Sequence, residues 1–364
     1  MLSPIELRHK LHQCPELMFK EFETTQLLFE NISQLPKIKI HKPLETGLLI
    51  EYTVNNSDYL LFRADIDALP IEEKTGVEYA STNGNMHACG HDVHSAILYG
   101  FLKYIVENNI EQNILFLFQP AEEGGGGAEK ILNSKILDNF KIKSAFALHV
   151  TDEFDFGTIA STSGILFCSA LEINIEFIGK ESHIAFPENG ANALSALRLF
   201  LDTIEKIPKN LNEPFVFGVG KVEAGIVRNI IPAKANLEAS LRVLKKEKAE
   251  EFKIQLNNIL TSIQNLLNVK YNISYGSFYS EVLVNENLFR TYSKVLSEKF
   301  NFIDCGYRFT GEDFGFISQV YPSFMFWLGT AKDKKYGLHN SKFLPDDSII
   351  ETGINAFKEI LLNK

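Results

Sequence analysis

Apolar positions in the first 160 residues fall into short continuous runs separated by segments of helical spacing. Residues 48–54, 59–65, 114–119 and 144–150 are such runs, and each predicts a buried strand. Between the second and third, Ile97, Phe101, Leu102 and Ile105 recur at the spacing of one helix face. Strand, helix, strand, repeated in this way, predicts an α/β fold with a mixed, mostly parallel sheet covered on both faces. Sheets of this kind bind ligands beyond the carboxyl ends of their strands, so polar residues that directly follow the runs are the first candidates for chemistry.

From about Ser169 the rhythm changes. Residues 171–178 alternate, with Leu171, Ile173, Ile175 and Phe177 on one face. Residues 191–207 predict a helix and 216–222 and 235–243 predict strands. Residues 247–267 predict an amphipathic helix with Phe252, Leu256, Ile259, Ile263 and Leu266 on one stripe, and 271–275 a closing strand. That order, β-α-β-β-α-β, is ferredoxin-like and predicts an inserted domain. Helix and strand then alternate again, with helices expected over 285–300, 312–319 and 346–362 and an apolar strand over 322–329. The expected organisation is a first domain formed by 1–166 and 278–364, interrupted by an insert over 167–277.

Composition narrows the partners. The 364 residues exceed one ordinary hydrophobic core, and at 45% apolar they can fill two. The formal net charge is −10, and no basic run is interleaved with aromatics, so no nucleic-acid partner is expected. Neither a leader-like start nor a long uncharged apolar segment is present, which predicts a soluble cytoplasmic protein without a membrane partner. Cys14, Cys89, Cys168 and Cys305 lie far apart and do not form a disulfide framework. A reduced thiol is then available to a metal.

The densest chemistry is His87-Ala88-Cys89-Gly90-His91-Asp92-Val93-His94. Thiolate and imidazole two residues apart, as in Cys89 and His91, can face one cation from a tight turn, with Asp92 orienting a ring behind them. The competing reading is a helix entry with a core cysteine. Glu122-Glu123 follows an apolar strand and precedes Gly124-Gly125-Gly126-Gly127. One carboxylate there could ligate metal while the other faces water, although paired glutamates also occur on solvated helix faces. His149 and His339 each end an apolar strand, where a lone histidine is more often a core residue than a ligand, and Asp65 and Asp67 share one side of an extended strand end. In the insert, His183 follows a strand, and Asn229 and Arg242 lie within 227–232 and 239–242; spacing alone favours a surface role for each, although arginine suits bidentate capture of a carboxylate.

Taken together, Arg63-Ala64-Asp65-Ile66-Asp67-Ala68-Leu69-Pro70, His87-Ala88-Cys89-Gly90-His91-Asp92, Gln119-Pro120-Ala121-Glu122-Glu123-Gly124 and Thr310-Gly311-Glu312-Asp313-Phe314 resemble the binuclear metal amidohydrolases related to aminoacylase and carboxypeptidase G. Within them, Gly311-Glu312-Asp313-Phe314-Gly315-Phe316, Phe324-Met325-Phe326-Trp327-Leu328-Gly329 and Tyr336-Gly337-Leu338-His339 look most like the N-acetyl-diaminopimelate deacetylases. The resemblance implies a zinc-peptidase-like catalytic domain interrupted by a lid that dimerises. It implies two divalent ions (zinc, manganese, cobalt or nickel) on Cys89, His91, Glu123, His149 and His339. Glu122 would be the general base, with Asp65 and Asp67 as catalytic-site aspartates. His183 matches a lid histidine that in relatives reaches the other subunit's site, and Asn229 and Arg242 match lid residues that hold substrate.

The implied reaction is hydrolysis of an N-acyl amino acid, foremost N-acetyl-L,L-2,6-diaminopimelate, to acetate and the free diamine in lysine biosynthesis. A broader aminoacylase, a hippurate hydrolase and an inactive acyl-amino-acid-binding protein are the alternatives. Two departures stand out: relatives carry Gly-Gly before the lid histidine and Pro-His after it where this chain has Glu181-Ser182 and Pro187-Glu188, and often two histidines where it has His339-Asn340.

Overall fold

In the computed structural model of the protein, which describes residues 1–55, 57–206 and 213–363, the chain divides into two compact units. Unit 1 comprises Met1–Leu166, Val282–Tyr307 and Asp313–Lys364, and unit 2 comprises Phe167–Glu281 with Arg308–Glu312. Among the described residues no helix is long and apolar enough to cross a membrane.

The chain opens with α1 (Pro4–Gln13), α2 (Phe22–Ile32), β1 (Ile38–His41), β2 (Leu48–Tyr52) and β3 (Tyr59–Asp65). After a long loop come α3 (His91–Glu107), β4 (Asn113–Gln119), α4 (Gly127–Asn133), β5 (Ile142–Asp155), β6 (Ile159–Ser161) and β7 (Gly164–Phe167). Unit 2 holds β8 (Ser169–Ile178), β9 (Ser182–His183), α5 (Ala193–Ile204), β10 (Phe215–Ala224), β11 (Ile230–Ile231), β12 (Lys234–Val243), α6 (Lys246–Leu267) and β13 (Lys270–Tyr279). The predicted end of α5 at Ile207 lies outside the described residues. The chain then adds β14 (Val282–Val284), α7 (Glu286–Ser297), β15 (Phe302–Asp304), α8 (Phe314–Val320), β16 (Ser323–Ala331) and α9 (Ile349–Leu362).

The sheet of unit 1 has eight strands in the order β1-β2-β4-β3-β5-β16-β6-β15. Its centre, β4-β3-β5-β16, is parallel throughout, whereas β1 on β2, β2 on β4 and β16 on β6 are antiparallel. The sheet is therefore mixed, with its parallel part where the sequence runs are most uniformly apolar. Register decides what happens at the carboxyl ends. Asp65 stands beside Gln119 and Arg63 beside Ala147, so His149, two residues further along β5, comes level with Asp65.

Behind this edge the core is aromatic. Phe62 stacks on Phe146 at 4.9 Å and meets Phe101 and Phe357 edge-on at 4.8 and 5.1 Å, geometries that add to simple area burial. α3 and α9 pack closely through two glycines: a Cβ on Gly100 would lie 2.3 Å from Ile354, and one on Gly353 would lie 2.4 Å from Ile97. α3 is thus held firmly over the sheet, with its first turn at the strand ends.

Unit 2 is a four-stranded sheet in the order β10-β12-β8-β13, antiparallel throughout. The inward residues of its alternating strands, Leu171, Ile173, Ile175 and Phe177, bury against Leu197 and Phe200 of α5 and Phe252 and Leu256 of α6. β9 and β11 form a separate two-stranded ribbon.

Candidate metal centre

Cys89 and His91 flank Gly90, which caps α3 in a left-handed conformation at φ +85°. A Cβ at Gly90 would lie 2.4 Å from Val150, so glycine lets the turn press against the end of β5. The turn thereby brings Cys89 to His149, with Sγ 3.4 Å from Nε2, and to His339, again with Sγ 3.4 Å from Nε2. Oε1 of Glu123 lies 3.3 Å from His339 Nε2 and 3.9 Å from His91 Nε2. The donors form two overlapping groups, Cys89 with His91 and His149, and Cys89 with Glu123 and His339. The structure brings together all five residues singled out as metal donors.

Hydrogen bonds settle which ring nitrogens are free. A carbonyl can only accept, so His91 donates Nδ1–H to Asp67 O at 2.9 Å and His149 donates Nδ1–H to Val150 O at 2.7 Å. Each therefore turns an Nε2 lone pair into the pocket, and that of His91 is buried without a hydrogen-bond partner. Such orphaned acceptors beside carboxylates fit cations. His94 differs, although it sits in a third cluster with Asp65 and His91. Its Nε2 accepts the Val150 N–H at 2.9 Å and its Nδ1–H donates to Asp65 at 2.6 Å, so neither nitrogen is spare.

The electrostatics point the same way. Burial, then Glu123, Glu122 and Asp65, push the Cys89 thiol well above its ordinary range. Burial alone would lower His91, but Asp65, Asp67 and Glu123 outweigh it and hold the imidazole up to about 10, so the carboxylates draw to Nε2 a proton that a bound cation would displace. Burial together with His94 and His91 drives His149 well down. The pocket concentrates negative charge in a dry setting, and an ionised thiolate there needs a cation beside it.

Carboxylates surround these donors. Glu122 is buried, with Oε1 3.4 Å from the Asp313 N–H and Oε2 4.0 Å from His91 Nε2. Asp67 lies 3.3 Å from His91 Nδ1 and accepts the Glu123 N–H at 2.8 Å. Asp65 is ion-paired with Arg63 at 2.8 Å. Although burial opposes it, His91, His94 and Arg63 hold Asp65 well below the usual carboxylate range. Arg63 also reaches Asp313, which accepts from Gln119 and from the Ala128 N–H as well. Asp313 thus ties the glutamate loop to the strand ends. Arg63, Gln119 and Asp313 stand inside the quoted motifs, yet no local spacing reveals that they meet.

Two expectations need correction. Asp92 does not orient a ring of the cluster: it faces the other way, bound to Arg8 at 3.0 Å and to His12 at 3.0 Å, with Glu73 on the far side of His12. His339 does not end a strand. It lies in a loop beyond β16 at φ +61°, held by its N–H to Ala88 O and by Asp152, which accepts the N–H groups of Tyr336 and Gly337.

In unit 2, His183 pairs with Ile230 across the β9–β11 ribbon, and Ile184 N–H donates to Asn229 O at 3.0 Å, so His183 and Asn229 are neighbours. Arg242 is elsewhere. It stands opposite Ala170, whereas the ribbon springs from the Ile178 and Lys234 end of the sheet. Along extended β12 that is a separation of about 26 Å. One chain does not gather these three around a single point at the ribbon's root.

The fold and donor set together define an α/β amide hydrolase with a candidate metal centre. The chain belongs to peptidase family M20/M25/M40, whose model matches residues 61–363. It is 38% identical to an N-acetyldiaminopimelate deacetylase of Exiguobacterium sibiricum over 96% of both chains. To one of Bacillus subtilis it is 37% identical, over 97% of this chain and 96% of that one. Among solved structures, the YXEP protein of Bacillus subtilis, described as a dinuclear metal binding peptidase of the M20 family, superposes with a TM-score of 0.82. It is 26% identical, and the match covers 99% of this chain and 97% of that one.

Metal analysis of purified variants tests the donor set. Cys89→Ala and His91→Ala are expected to lose at least one equivalent of metal, whereas His94→Asn is expected to keep the wild-type content. Equal loss in all three would contradict the division made above.

Proposed function

We propose that the protein hydrolyses the amide of N-acetyl-L,L-2,6-diaminopimelate, releasing acetate and the free diamine, at a centre built by Cys89, His91, Glu123, His149 and His339. The observation that carries this reading is the buried Glu122 carboxylate, one residue before Glu123 and 4.0 Å from His91 Nε2. It puts a proton acceptor beside the cage. The names of the relatives supply the acetyl group and the diamino acid.

Two divalent cations held there would supply Lewis-acid polarisation of the acyl oxygen and acidify a water. Zinc suits the thiolate and imidazoles, while manganese, cobalt or nickel suit the carboxylate share. The rest falls to the chain. Glu122 takes the proton of the attacking water, then delivers it to the departing amine nitrogen as the acyl–nitrogen bond breaks. Asp67 fixes His91 and the Glu123 backbone, and Asp65, held by Arg63, orients His94. Arg242 takes the substrate α-carboxylate. Free cysteines throughout the described residues are compatible with a reducing, cytoplasmic setting.

Unit 2 serves in this reading as a lid and dimerisation domain. His183 and Asn229, rooted about 26 Å from Arg242 along the sheet, act on the partner's site, where His183 donates to the developing oxyanion. The small-molecule substrate is then enclosed by two chains.

Acetate release from N-acetyl-diaminopimelate tests the reaction, with benzoyl-glycine and other acetylated amino acids as competitors. Wild type is expected to prefer the first by kcat/KM, and Glu122→Gln to keep its metal while slowing by roughly 10²–10⁴. Wild-type speed in Glu122→Gln removes it as the base, and a preference for benzoyl-glycine favours the hippurate reading. Mixing His183→Ala chains with Glu122→Gln chains is expected to restore activity in mixed dimers, which contain one intact site. No recovery would place His183 in its own chain's site.

A further inference from the structure

The loop that carries Glu122 and Glu123 contains an unusual backbone. Ala121 sits at φ +59°, a left-handed conformation that a Cβ disfavours. Both of its peptide groups are engaged. Its carbonyl accepts the Gly127 N–H at 3.0 Å, and its N–H donates to Oε1 of Glu21 at 2.9 Å. Glu21 comes from a distant part of the sequence and is fully buried.

Glu21 does not cap the helix that it precedes. It stands at the N-cap of α2, a position that favours shorter side chains than glutamate, and makes no hydrogen bond to the first helical turn. Glu16 takes that role, accepting from the N–H groups of Glu23 and Thr24 at 3.2 and 2.8 Å. The Glu21 carboxylate points inward instead, where it accepts from Ala121 and Phe19 N–H at one oxygen and from the Thr46 hydroxyl at the other. All three partners are donors, as an acceptor-only carboxylate requires. Burial works against that ionisation, pushing Glu21 up to about 7.

We propose that Glu21 is a positioning residue for hydrolysis: by gripping the Ala121 N–H it holds Ala121 left-handed and so aims the Glu122 carboxylate that follows. The inference rests on Glu122 being the base. Cys89, His91, His149 and His339 come from other segments, and Glu123, though on the same loop, has its own tether in the N–H that it donates to Asp67, so the loss of this grip acts first on the proton acceptor.

Metal-loaded Glu21→Ala is expected to lose roughly 10²-fold in kcat, at the low end for a displaced base, with KM and metal content little changed. Glu21→Gln keeps one carbonyl oxygen for the Ala121 N–H and is expected to stay within about tenfold of wild type. The decisive variant is Glu21→Ala combined with Ala121→Gly. Glycine enters the left-handed region freely, so at least about tenfold of the lost kcat should return, which a general loss of stability would not allow.

Hydrogen exchange on the metal-free wild-type protein gives a reading independent of activity and of whether Glu21→Ala folds. The Ala121 amide should be protected like those of β4, and exchange at the rate of an open loop overturns the inference. So does a Glu21→Ala defect that glycine fails to relieve. Activity kept by Glu21→Ala but lost by Glu122→Gln overturns this inference alone, whereas activity kept by both overturns the role of Glu122 and this inference with it.

Discussion

Five groups that carry or can acquire negative charge, Asp65, Asp67, Cys89, Glu122 and Glu123, crowd into one pocket at the end of the parallel strands of a mixed sheet, and four of them are fully buried or nearly so. Desolvating even one such group is costly unless a partner compensates it. Arg63 and the imidazoles meet part of that demand. The Cys89 thiol, pushed up by burial and by Glu123, Glu122 and Asp65, shows where it is unmet. Divalent cations are the compensation this chemistry calls for, and the surrounding architecture can be understood as the means of holding the anions together until cations arrive.

That holding is done by backbone as much as by side chains. Gly90, Ala121 and His339 all have positive φ, and each lies next to or within the donor set. Strain of this kind persists where surrounding contacts over-determine it. Val150 blocks any side chain at Gly90, the Ala88 carbonyl and Asp152 fix the His339 loop, and Asp313 with Arg63 and Gln119 pins the glutamate loop from inside. The close helix packing through Gly100 and Gly353 adds the rigid support that keeps the first turn of α3 over the strand ends.

Much of this was legible in the sequence because parallel strands covered on both faces read as continuous apolar runs. Residues 59–65 were expected as a strand, and β3 spans Tyr59–Asp65. The alternation of 171–178 likewise marked β8. The N-terminal helices carried no such signal. α1 buries Arg8 and His12 through ion pairs with Asp92, made across 84 and 80 residues, and a hydropathy pattern does not register charged residues in a core. The antiparallel pairings at the sheet's margins involve strands as short as β6, three residues long. The last helix begins at Ile349 rather than 346, since Asp346 instead accepts the Ser348 N–H in the preceding turn. At the site, Cys89, His91, Glu122 and Glu123 announced themselves by spacing. Asp313 and His94 did not, because their importance lies in which atoms they occupy.

The two overlapping donor groups that share Cys89 offer places for two cations at once. Anomalous X-ray scattering from crystals of the native protein, collected at the absorption edge of whichever metal it contains, addresses that directly. The account requires two anomalous peaks per chain, both within the cage of Cys89, His91, Glu123, His149 and His339. A single peak at full metal loading, or two peaks ligated by other side chains, would contradict it.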